Sequence, residues 1–385
     1  MYHYHDKNKN EVKKYDKWDS FTSPEHYVDL EELCDYRGYD KGKLDALGIK
    51  HMSVLYDEDL ISLAIKALRK VDLNDVNLII LASESNVDLS KPLSVKIVDK
   101  LGLNECITFE TKFACRAGVD SVLMAYTYSK ITGNKSIVVC LDEAIYEKGS
   151  AEITGGCGCA VIVIDPLEQG IELDLKTARS YVADIDDFYK PMSITPVVNG
   201  KLSIVSYLYC CKKAMESWKN IKNRNVTEYF DKLVFHVPFP RIVKWISTVL
   251  YAHEKKNITL HIEDIIKNPN LYNKWRDERK SVETSIDFID WFNEKVEPSL
   301  RFHPYVGNSY TASVWLALIS TLVNSKIDIG DKIGLCGYGS GAGAICVEMI
   351  VKDKIKTYRE LPTKKLDVEK YIELRKERGL DWPIF

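Results

Sequence analysis

The stretch CRAGVDSVLMAYTYSK (115–130) decides the fold, because it predicts a helix that is apolar on nearly all sides. A second stretch of the same character, NSYTASVWLALISTLV (308–323), follows in the later part of the chain. A helix without a polar face is buried on all sides. Both helices are therefore expected to lie between sheets, one beginning near Cys115 and the other near Asn308.

The segments around the two helices repeat in the same order. Each set has a strand before the helix, a strand after it, a Gly-rich turn and a last strand: NLIILAS (77–83), KSIVVCLDE (135–143), GGCG (155–158) and CAVIVID (159–165), then KLVFHV (232–237), DKIGLCG (331–337), GSGAG (339–343) and AICVEMIV (344–351). Short apolar strands that alternate with helices predict an α/β fold with covered sheets. The repeat predicts a duplicated fold with a site between its halves.

The predicted organisation follows from this repeat. A polar, aromatic arm, either loose or a poorly matched edge strand, takes residues 1–25, and the pattern from 29 to 70 is helical. The first half spans 26–165, a connecting insertion 166–231 and the second half 232–355, with a charged helical insertion at 252–300. Residues 356–385 are predicted to be a C-terminal tail.

Composition excludes several classes of function. With 53 basic and 56 acidic residues among 385, the net charge of −3 gives no electrostatic case for a nucleic acid or an anionic membrane as partner. No apolar run is long enough to cross a bilayer, and the polar start is not a secretory signal. Ten cysteines without a CxxC pair or an HExxH motif predict reduced thiols, no structural zinc and a cytoplasmic enzyme.

Four residues are candidates for chemistry. Cys115, at the predicted helix start and beside Arg116, has the setting that lowers a thiol pKa. Glu84 follows a predicted strand and His236 lies at the end of another, where α/β folds place working side chains. Asn308 follows a glycine and is suited to open a helix. Each also has an ordinary structural interpretation: a buried thiol, a surface acid, a satisfied histidine and a helix cap.

Taken together, these residues resemble the hydroxymethylglutaryl-CoA synthase family of the thiolase superfamily, from about Tyr27 to Asp353. The resemblance rests on the order and spacing of seven motifs: YVDLEEL (27–33), SESNVD (83–88), FAC (113–115), DDFYKP (186–191), FHVPF (235–239), VGNSYTAS (306–313) and GYGSG (337–341). It implies a thiolase-like duplicated α/β/α/β/α fold with layered sheets and buried helices.

The resemblance also implies roles for residues. Cys115 matches the acetylated nucleophile, Glu84 the acid/base, His236 the residue that engages the acceptor, and Asn308 a positioning donor. Four further positions match residues of the pocket: Tyr146, Lys190, Gly339 and Ser340. Arg116 is also placed in the pocket, where the family usually has an aromatic residue. Arg241 and Lys244 match basic positions at the carrier entrance, where they would contact phosphates of coenzyme A or of a carrier protein. The last two positions equally fit a solvated helix face.

The implied reaction is an aldol-type addition of an acetyl group, held on Cys115, to the β-carbonyl of a β-ketoacyl thioester. It needs no metal, nicotinamide or flavin, and a homodimer is expected. Several stretches look more like the enzymes of polyketide β-branching cassettes, which act on acyl carrier proteins; they include YDEDLISLAI (56–65) and LSIVSYLYC (202–210). The alternatives are the mevalonate-pathway enzyme, which uses acetyl-CoA and acetoacetyl-CoA, and a ketoacyl-carrier-protein synthase III-like enzyme.

Overall fold

Fifteen strands are present in the computed structural model, which describes residues 19–381 except 87, 169 and 192. In chain order they are β1 (Asp19–Thr22), β2 (His26–Asp29), β3 (His51–Val54), β4 (Val76–Ala82), β5 (Ile107–Thr111), β6 (Lys135–Ala144), β7 (Gly156–Ile164), β8 (Ile171–Val182), β9 (Phe188–Tyr189), β10 (Val197–Val198), β11 (Lys232–Phe235), β12 (Lys332–Gly339), β13 (Gly343–Val351), β14 (Tyr358–Glu360) and β15 (Lys364–Lys365).

Thirteen α-helices lie in the same described part of the chain. They are α1 (Leu30–Arg37), α2 (Gly42–Leu47), α3 (Leu60–Leu68), α4 (Leu93–Leu101), α5 (Ala117–Thr132), α6 (Gly200–Lys222), α7 (Val226–Tyr229), α8 (Pro240–Lys255), α9 (Ile262–Lys267), α10 (Tyr272–Glu283), α11 (Ile286–Lys295), α12 (Ser313–Asn324) and α13 (Val368–Glu377). Within this part, no helix has the length and apolar character that crossing a bilayer requires.

Two sheets and three helical layers build the main body. The six-stranded sheet has the order β14-β1-β7-β6-β4-β5, and the four-stranded sheet has the order β11-β12-β13-β8. Helices α5 and α12 contact strands of both sheets, α3 and α4 pack on the first sheet, and α6 packs on the second. The layers are therefore α/β/α/β/α, as the resemblance implied.

The prediction of two fully buried central helices is confirmed for α12 and is wrong in part for α5. Every residue of α12 from Ser313 to Thr321 is buried. Helix α5 buries one side along its length, but Met124 is 48% and Ile131 is 78% exposed, so its other side faces solvent. The two helices approach closely at Gly118. A Cβ there would lie 2.7 Å from the Thr311 carbonyl oxygen and 3.0 Å from the Trp315 indole nitrogen. The glycine therefore permits the tight crossing of the two helices.

Both termini of the described chain differ from the prediction. Residues 1–18 of the predicted arm lie outside the described residues, but β1 is an inner strand between β14 and β7. The predicted tail supplies β14, β15 and α13, and α13 buries Tyr371 and Ile372 in a core with α1 and β2. The loose or edge character expected for 19–25 and the tail expected for 356–385 are therefore wrong.

Three further boundaries differ from the prediction. The region 29–70 contains β3 between its helices, because His51–Val54 pairs with β2. The 166–231 connection contributes β8 and α6 to the second half. Three of the four residues of the predicted turn GGCG (155–158) belong to β7, which begins at Gly156. A Cβ at Gly156 would lie 2.7 Å from the backbone nitrogen of Asn308, so the strand passes close to the second half at this glycine. The helical character of 252–300 is confirmed.

Candidate active site

The nucleophile candidate lies at the entrance to the central helix. Cys115 stands two residues before α5, which begins at Ala117 and not at the cysteine itself. Ala114, directly before it, has a left-handed φ of 45°, a conformation that costs energy for any residue with a Cβ. The Cys115 thiol donates a hydrogen bond to Oε1 of Glu84 at 3.1 Å. The strained turn thus brings the thiol to the carboxylate.

Glu84 has the electrostatic setting of an acid/base group. It follows β4, which pairs in parallel with both β5 and β6, so the glutamate stands at the carboxyl edge of the sheet as predicted. Burial, together with the charge of Asp142, raises the pKa of Glu84 to about 7, against the opposing effects of Lys190 and the Cys115 hydrogen bond. At neutral pH, Glu84 is therefore able both to accept and to return a proton.

The thiol itself is protonated in this resting arrangement. Burial raises the pKa of Cys115 well above its ordinary value, and the Glu84 carboxylate adds to the rise. The expectation that its position near the start of α5 and beside Arg116 lowers this pKa is wrong. A thiol held on a carboxylate has its proton acceptor already in place, so ionisation takes the form of proton transfer from Cys115 to Glu84.

A buried aspartate organises the backbone behind this pair. Oδ1 of Asp142 accepts hydrogen bonds from the Glu84 backbone nitrogen at 2.8 Å and from the hydroxyls of Ser83 and Ser85 at 3.1 and 2.7 Å. Its Oδ2 accepts from the backbone nitrogen and the hydroxyl of Thr311. Asp142 therefore joins β4, β6 and the approach to α12. Sequence reasoning missed it, although an acidic residue at the end of an apolar strand was a usable signal.

Aromatic side chains form the wall around the thiol. Tyr146 and Tyr310 share a small buried cluster with Cys115, and Phe188 packs against it. The Tyr310 hydroxyl is buried and, within the described residues, lacks a partner in ordinary hydrogen-bond geometry. Lys190 lies 4.9 Å from the centre of the Tyr310 ring and donates to the Glu84 backbone oxygen at 3.1 Å. The structure thus brings Tyr146 and Lys190 to the pair, and it adds Tyr310.

Asn308 is fixed at the contact between the two halves. Gly307 has a φ of 82°, and a Cβ there would lie 2.0 Å from the Gly155 carbonyl oxygen, so only glycine fits. The Asn308 backbone nitrogen donates to that oxygen at 3.2 Å, and Oδ1 accepts from the Tyr310 backbone nitrogen at 3.0 Å. The Asn308 side chain also hydrogen-bonds the Tyr146 phenol. A 3-10 turn, Tyr310–Ala312, separates Asn308 from α12.

His236 follows β11, at the strand end where it was predicted. It is 1% exposed, and its Nδ1 has no hydrogen-bond partner in the described part of the chain. Burial and the charge of His303 lower the pKa of His236 to about 3, so the imidazole is neutral at physiological pH. No hydrogen bond joins His236 to Cys115 or Glu84 among the described residues. A buried ring nitrogen without a partner is available for a bound molecule.

A cavity of about 1140 Å³ opens at this edge of the first sheet. Glu84 and Ala114 lie in its wall, and Ser340, from the turn after β12, closes it from the second half. Lys190 lines the same cavity. Cavities of this size accommodate a drug-sized molecule or larger. Two of the predicted pocket residues, Ser340 and Lys190, are therefore placed on one cavity with Glu84.

Arg116 does not line that cavity. Its guanidinium donates to Asp120 at 3.0 and 3.1 Å and to the Ser180 hydroxyl at 2.8 Å, and it stacks on the Phe113 ring. Gly339 packs directly behind it, since a Cβ at Gly339 would lie 2.9 Å from the Arg116 Cβ. Both residues therefore support the wall of the cavity from behind, and direct contact with substrate by either one stays a prediction.

The two predicted phosphate-binding residues lie on α8. Arg241 is 4.0 Å and Lys244 is 3.7 Å from Oε1 of Glu283, and Arg241 also donates to the Asp45 carbonyl oxygen at 3.3 Å. Neither residue lines the cavity that holds Glu84. The side chains keep exposed fractions of 38% and 26%, so binding of an anion there stays a prediction.

No group of three or more His, Cys, Asp or Glu side chains in the described part of the chain is arranged to hold a metal ion. All ten cysteines are free thiols.

Fold and site together define a thiolase-like condensing acyltransferase, in which two sheets enclose buried helices and a cysteine faces a carboxylate. The sequence families agree and are more specific. Residues 20–168 match the N-terminal domain of hydroxymethylglutaryl-coenzyme A synthase, and residues 171–380 match its C-terminal domain. The chain belongs to the hydroxymethylglutaryl-CoA synthase family, whose enzymes form a C–C bond by condensing an acetyl group.

Individual relatives come from both branches of the family. The hydroxymethylglutaryl-CoA synthase of Saccharomyces cerevisiae is 32% identical over 403 residues, covering 93% of this chain and 81% of the yeast protein. That of Haloferax volcanii is 30% identical, covering 80% and 76%. The polyketide biosynthesis 3-hydroxy-3-methylglutaryl-ACP synthase of Bacillus subtilis is 28% identical, covering 82% and 74%.

Solved structures show the same architecture. MvaS in complex with 3-hydroxy-3-methylglutaryl coenzyme A superposes with a TM-score of 0.79 at 24% identity, covering 94% of this chain and 91% of MvaS. The curacin-pathway synthase in complex with holo donor-ACP has a TM-score of 0.75 at 25% identity, covering 87% and 80%. The first similarity supports the fold alone.

Proposed function

We propose that Cys115 carries an acetyl group and that Glu84, as acid/base, catalyses the addition of this group to the β-carbonyl of a β-ketoacyl thioester. The acceptor thioester is borne by an acyl carrier protein. The observation that carries the proposal is the hydrogen bond from the Cys115 thiol to a carboxylate whose pKa is raised to about 7. Glu84 accepts the thiol proton as Cys115 attacks the donor thioester, and the donor thiol leaves with a proton. The acetyl group then rests on Cys115.

The same carboxylate serves the second step. Glu84 removes a proton from the acetyl methyl group, and the resulting enolate attacks the acceptor β-carbonyl. The new alkoxide takes a proton back from Glu84, and water then cleaves the Cys115 thioester to free a 3-hydroxy-3-methylglutaryl-type product. Neutral His236 and the amide of Asn308 supply hydrogen bonds to the acceptor, and the unpartnered ring nitrogen of His236 supports its part in this role. This sequence requires no metal, nicotinamide or flavin.

The carrier-protein acceptor is supported by the Bacillus subtilis relative and by the curacin synthase that binds a donor-ACP. The alternative, free acetyl-CoA and acetoacetyl-CoA, is supported by identities of 32% and 30% to the yeast and Haloferax enzymes. Both branches share the steps assigned to Cys115 and Glu84. Arg241 and Lys244, on the exposed face of α8, are the cations that we assign to the phosphate of either carrier.

The test is intact-protein mass spectrometry after brief incubation with acetyl-CoA or with an acetyl-carrier protein. An adduct of one acetyl group is expected on the wild type and is expected to be absent from Cys115→Ala. Glu84→Ala, which lacks the acceptor for the thiol proton, is expected to form the adduct more slowly and to give no condensation product. Faster acetylation and condensation with the carrier proteins support the proposed branch, whereas a preference for the coenzyme A thioesters favours the alternative. A requirement for a malonyl thioester contradicts both and favours a ketoacyl synthase.

We also propose that the protein is a cytoplasmic homodimer. Ten free thiols fit a reducing compartment. Strand β5 is the outer strand of the six-stranded sheet, and its Ile107 is 51% exposed, so its edge is open to a second copy. Sedimentation is expected to give a dimer for the wild type and a monomer for Ile107→Lys. A monomeric wild type contradicts the proposal.

A further inference from the structure

Two arginines contact the end of β6 and the residues after it: Arg375, in α13, and Arg378, directly after α13. Nη2 of Arg375 donates to the Tyr146 carbonyl oxygen at 3.1 Å. Nη1 of Arg378 donates to Oε1 of Glu143 at 2.7 Å, and its Nη2 donates to the Leu55 carbonyl oxygen at 2.9 Å. The segment 143–146 is thus contacted at both ends, through the Glu143 side chain by Arg378 and through the Tyr146 backbone by Arg375. This segment connects the buried end of β6 with the wall of the active site.

Arg375 is fixed in turn by buried partners. Its Nε lies 3.2 Å from Oε1 of Glu152 and 2.9 Å from Oδ1 of Asp381, and all three side chains are 4% exposed or less. Its Nη1 donates to the Tyr371 hydroxyl at 3.3 Å. A guanidinium is planar and presents its donors in a fixed geometry, so these contacts determine where Nη2 points. The Tyr146 carbonyl is therefore bound by a group that has little freedom to move.

The opposite side of Tyr146 belongs to the site. Its ring is 8% exposed and lies in the cluster that contains Cys115 and Tyr310. The charges of Cys115 and Glu84 contribute to the raised pKa of Tyr146, after the larger effect of burial, so the phenol is close enough to sense both. One residue therefore has its backbone bound by α13 and its side chain beside the nucleophile.

Packing alone does not fix this segment. A cavity of about 30 Å³ separates it from α13, lined by Glu143, Tyr146, Arg375 and Arg378 together with residues of β3. Where apolar packing leaves a gap, the backbone is held by its polar contacts. Arg375 supplies such a contact to the Tyr146 backbone, and Arg378 binds the Glu143 side chain.

We propose that Arg375 and Arg378 are positioning residues for the condensation, and that they act by holding the Tyr146 side chain against the acyl group on Cys115. The inference rests on the proposed acetylation of Cys115 with Tyr146 in the acyl pocket. Neither arginine touches the substrate. A displacement of about 1 Å in a group that surrounds the reacting atoms is enough to slow a reaction about 100-fold, which gives the C-terminal helix control over the rate.

The central variant is Arg375→Lys, which keeps the charge for Glu152 and Asp381 but loses the fork that reaches Tyr146. We expect kcat for the condensation to fall about tenfold or more, with the KM values changed less than about twofold. Lys376→Gln, an exposed position on the same helix, is the matched control and is expected to keep wild-type kcat. Thermal unfolding of each variant reports whether it is folded.

A double-mutant cycle with Tyr146→Phe separates positioning from a general structural role. If Arg375 acts through the phenol, then Arg375→Lys lowers kcat by less than about twofold in the Tyr146→Phe background. Equal losses in both backgrounds, or wild-type kcat in Arg375→Lys, overturn the inference. If Arg375→Lys does not fold, Arg378→Gln decides by the same cycle, since the Arg378 side chain is 27% exposed and less critical for stability.

The failure of the proposed function has a different signature. Wild-type protein that takes no acetyl group on Cys115 contradicts the proposed function. Wild-type protein that is acetylated and slowed by Tyr146→Phe, while both arginine variants are unaffected, contradicts the positioning role only.

Discussion

Glu84 carries the titration that we expect to limit the rate in acid. The reaction needs its carboxylate as a base, and the pKa of Glu84 is raised to about 7. Because the base form exists above this pKa, kcat/KM is expected to fall tenfold per pH unit below about pH 7. A pH–rate profile of the wild type from pH 5 to 9 tests this, with the residual rate of Glu84→Ala as control. An acid limb near pH 4.5 would show that Glu84 is not perturbed in solution.

Asp142→Asn is expected to change both the rate profile and the stability. Loss of the negative charge removes one cause of the raised Glu84 pKa, so the acid limb moves to lower pH. The asparagine amide NH₂ would face N–H and O–H groups that donate to the Asp142 carboxylate in the wild type. We expect this loss of acceptors to lower the unfolding free energy by about 1–3 kcal/mol. Urea denaturation and the pH profile measure the two effects. Asp99→Asn, on the exposed side of α4, serves as control.

Local sequence rules placed some site residues better than others. Glu84 and His236 follow the carboxyl ends of strands. The alternation of apolar runs and loops in the sequence predicts where these ends lie. Tyr310 is a site residue because of contacts with segments far away in the chain, which no local pattern reports, whereas the position of Asp142 at the end of an apolar strand was a usable local signal. Arg116 was assigned to the pocket, but it bonds Asp120 four residues later, a helical spacing that the sequence does contain.

At the scale of single elements, the crossing of α5 and α12 is sensitive to one methyl group. Gly118→Ala places a Cβ within 3.0 Å of three atoms, including the Thr311 carbonyl oxygen and the Cys140 sulfur. Both neighbours belong to buried elements and cannot move away freely. We expect the unfolding free energy to fall by about 1–3 kcal/mol, measured by urea denaturation.

The control for this change is Gly200→Ala. Gly200 is the first residue of α6, and a Cβ there meets no atom within 4 Å. An alanine in a helix is expected to leave stability unchanged or to raise it by up to about 1 kcal/mol. Equal destabilisation by both substitutions would contradict the role assigned to the crossing.

The elements that the sequence predicted are those with a strong local pattern. Helices α5 and α12 and the strands around them are long, mainly apolar runs bounded by turn residues, which are the strongest local signals of buried elements. Strands β1, β2 and β3 are four residues each, and β14 and β15 are shorter still. Such strands are stabilised by pairing with distant segments, so their own sequences carry little signal.

At the scale of the whole molecule, one buried ionic network joins the start and the end of the described chain. Glu152 accepts from Arg37 at 2.9 Å and from Tyr39 at 2.7 Å, and it also contacts Arg375. Glu152→Gln removes a carboxylate that pairs with two buried guanidinium groups, and we expect the unfolding free energy to fall by about 3–5 kcal/mol. Urea denaturation is the measurement. Asp328→Asn, in an exposed pair with Lys326, is expected to cost about 0–1 kcal/mol.

Asp381 gives this network a pH dependence. Burial opposes ionisation, but hydrogen bonds from Arg37 and Arg375 outweigh it and lower the pKa of Asp381 below its ordinary value. A lowered carboxyl pKa in the folded state contributes stability above the unfolded pKa of about 4, and this contribution is lost as the pH falls through the folded pKa. The wild type is expected to have a higher unfolding free energy than Asp381→Asn at pH 6, and the difference is expected to shrink as the pH falls to 3. A constant difference contradicts this assignment.

The pairing of β1 with β14 has a consequence for biosynthesis. Ser20 leaves the ribosome early, and its partner Tyr358 emerges only when nearly all of the described chain has been translated. Until then the nascent six-stranded sheet has an open edge at β1, which exposes backbone donors and acceptors to other polypeptides. Asn308 and α13, which complete the surroundings of Glu84 and Cys115, are also translated after them. The complete site is therefore assembled only when nearly all of the described chain has been translated.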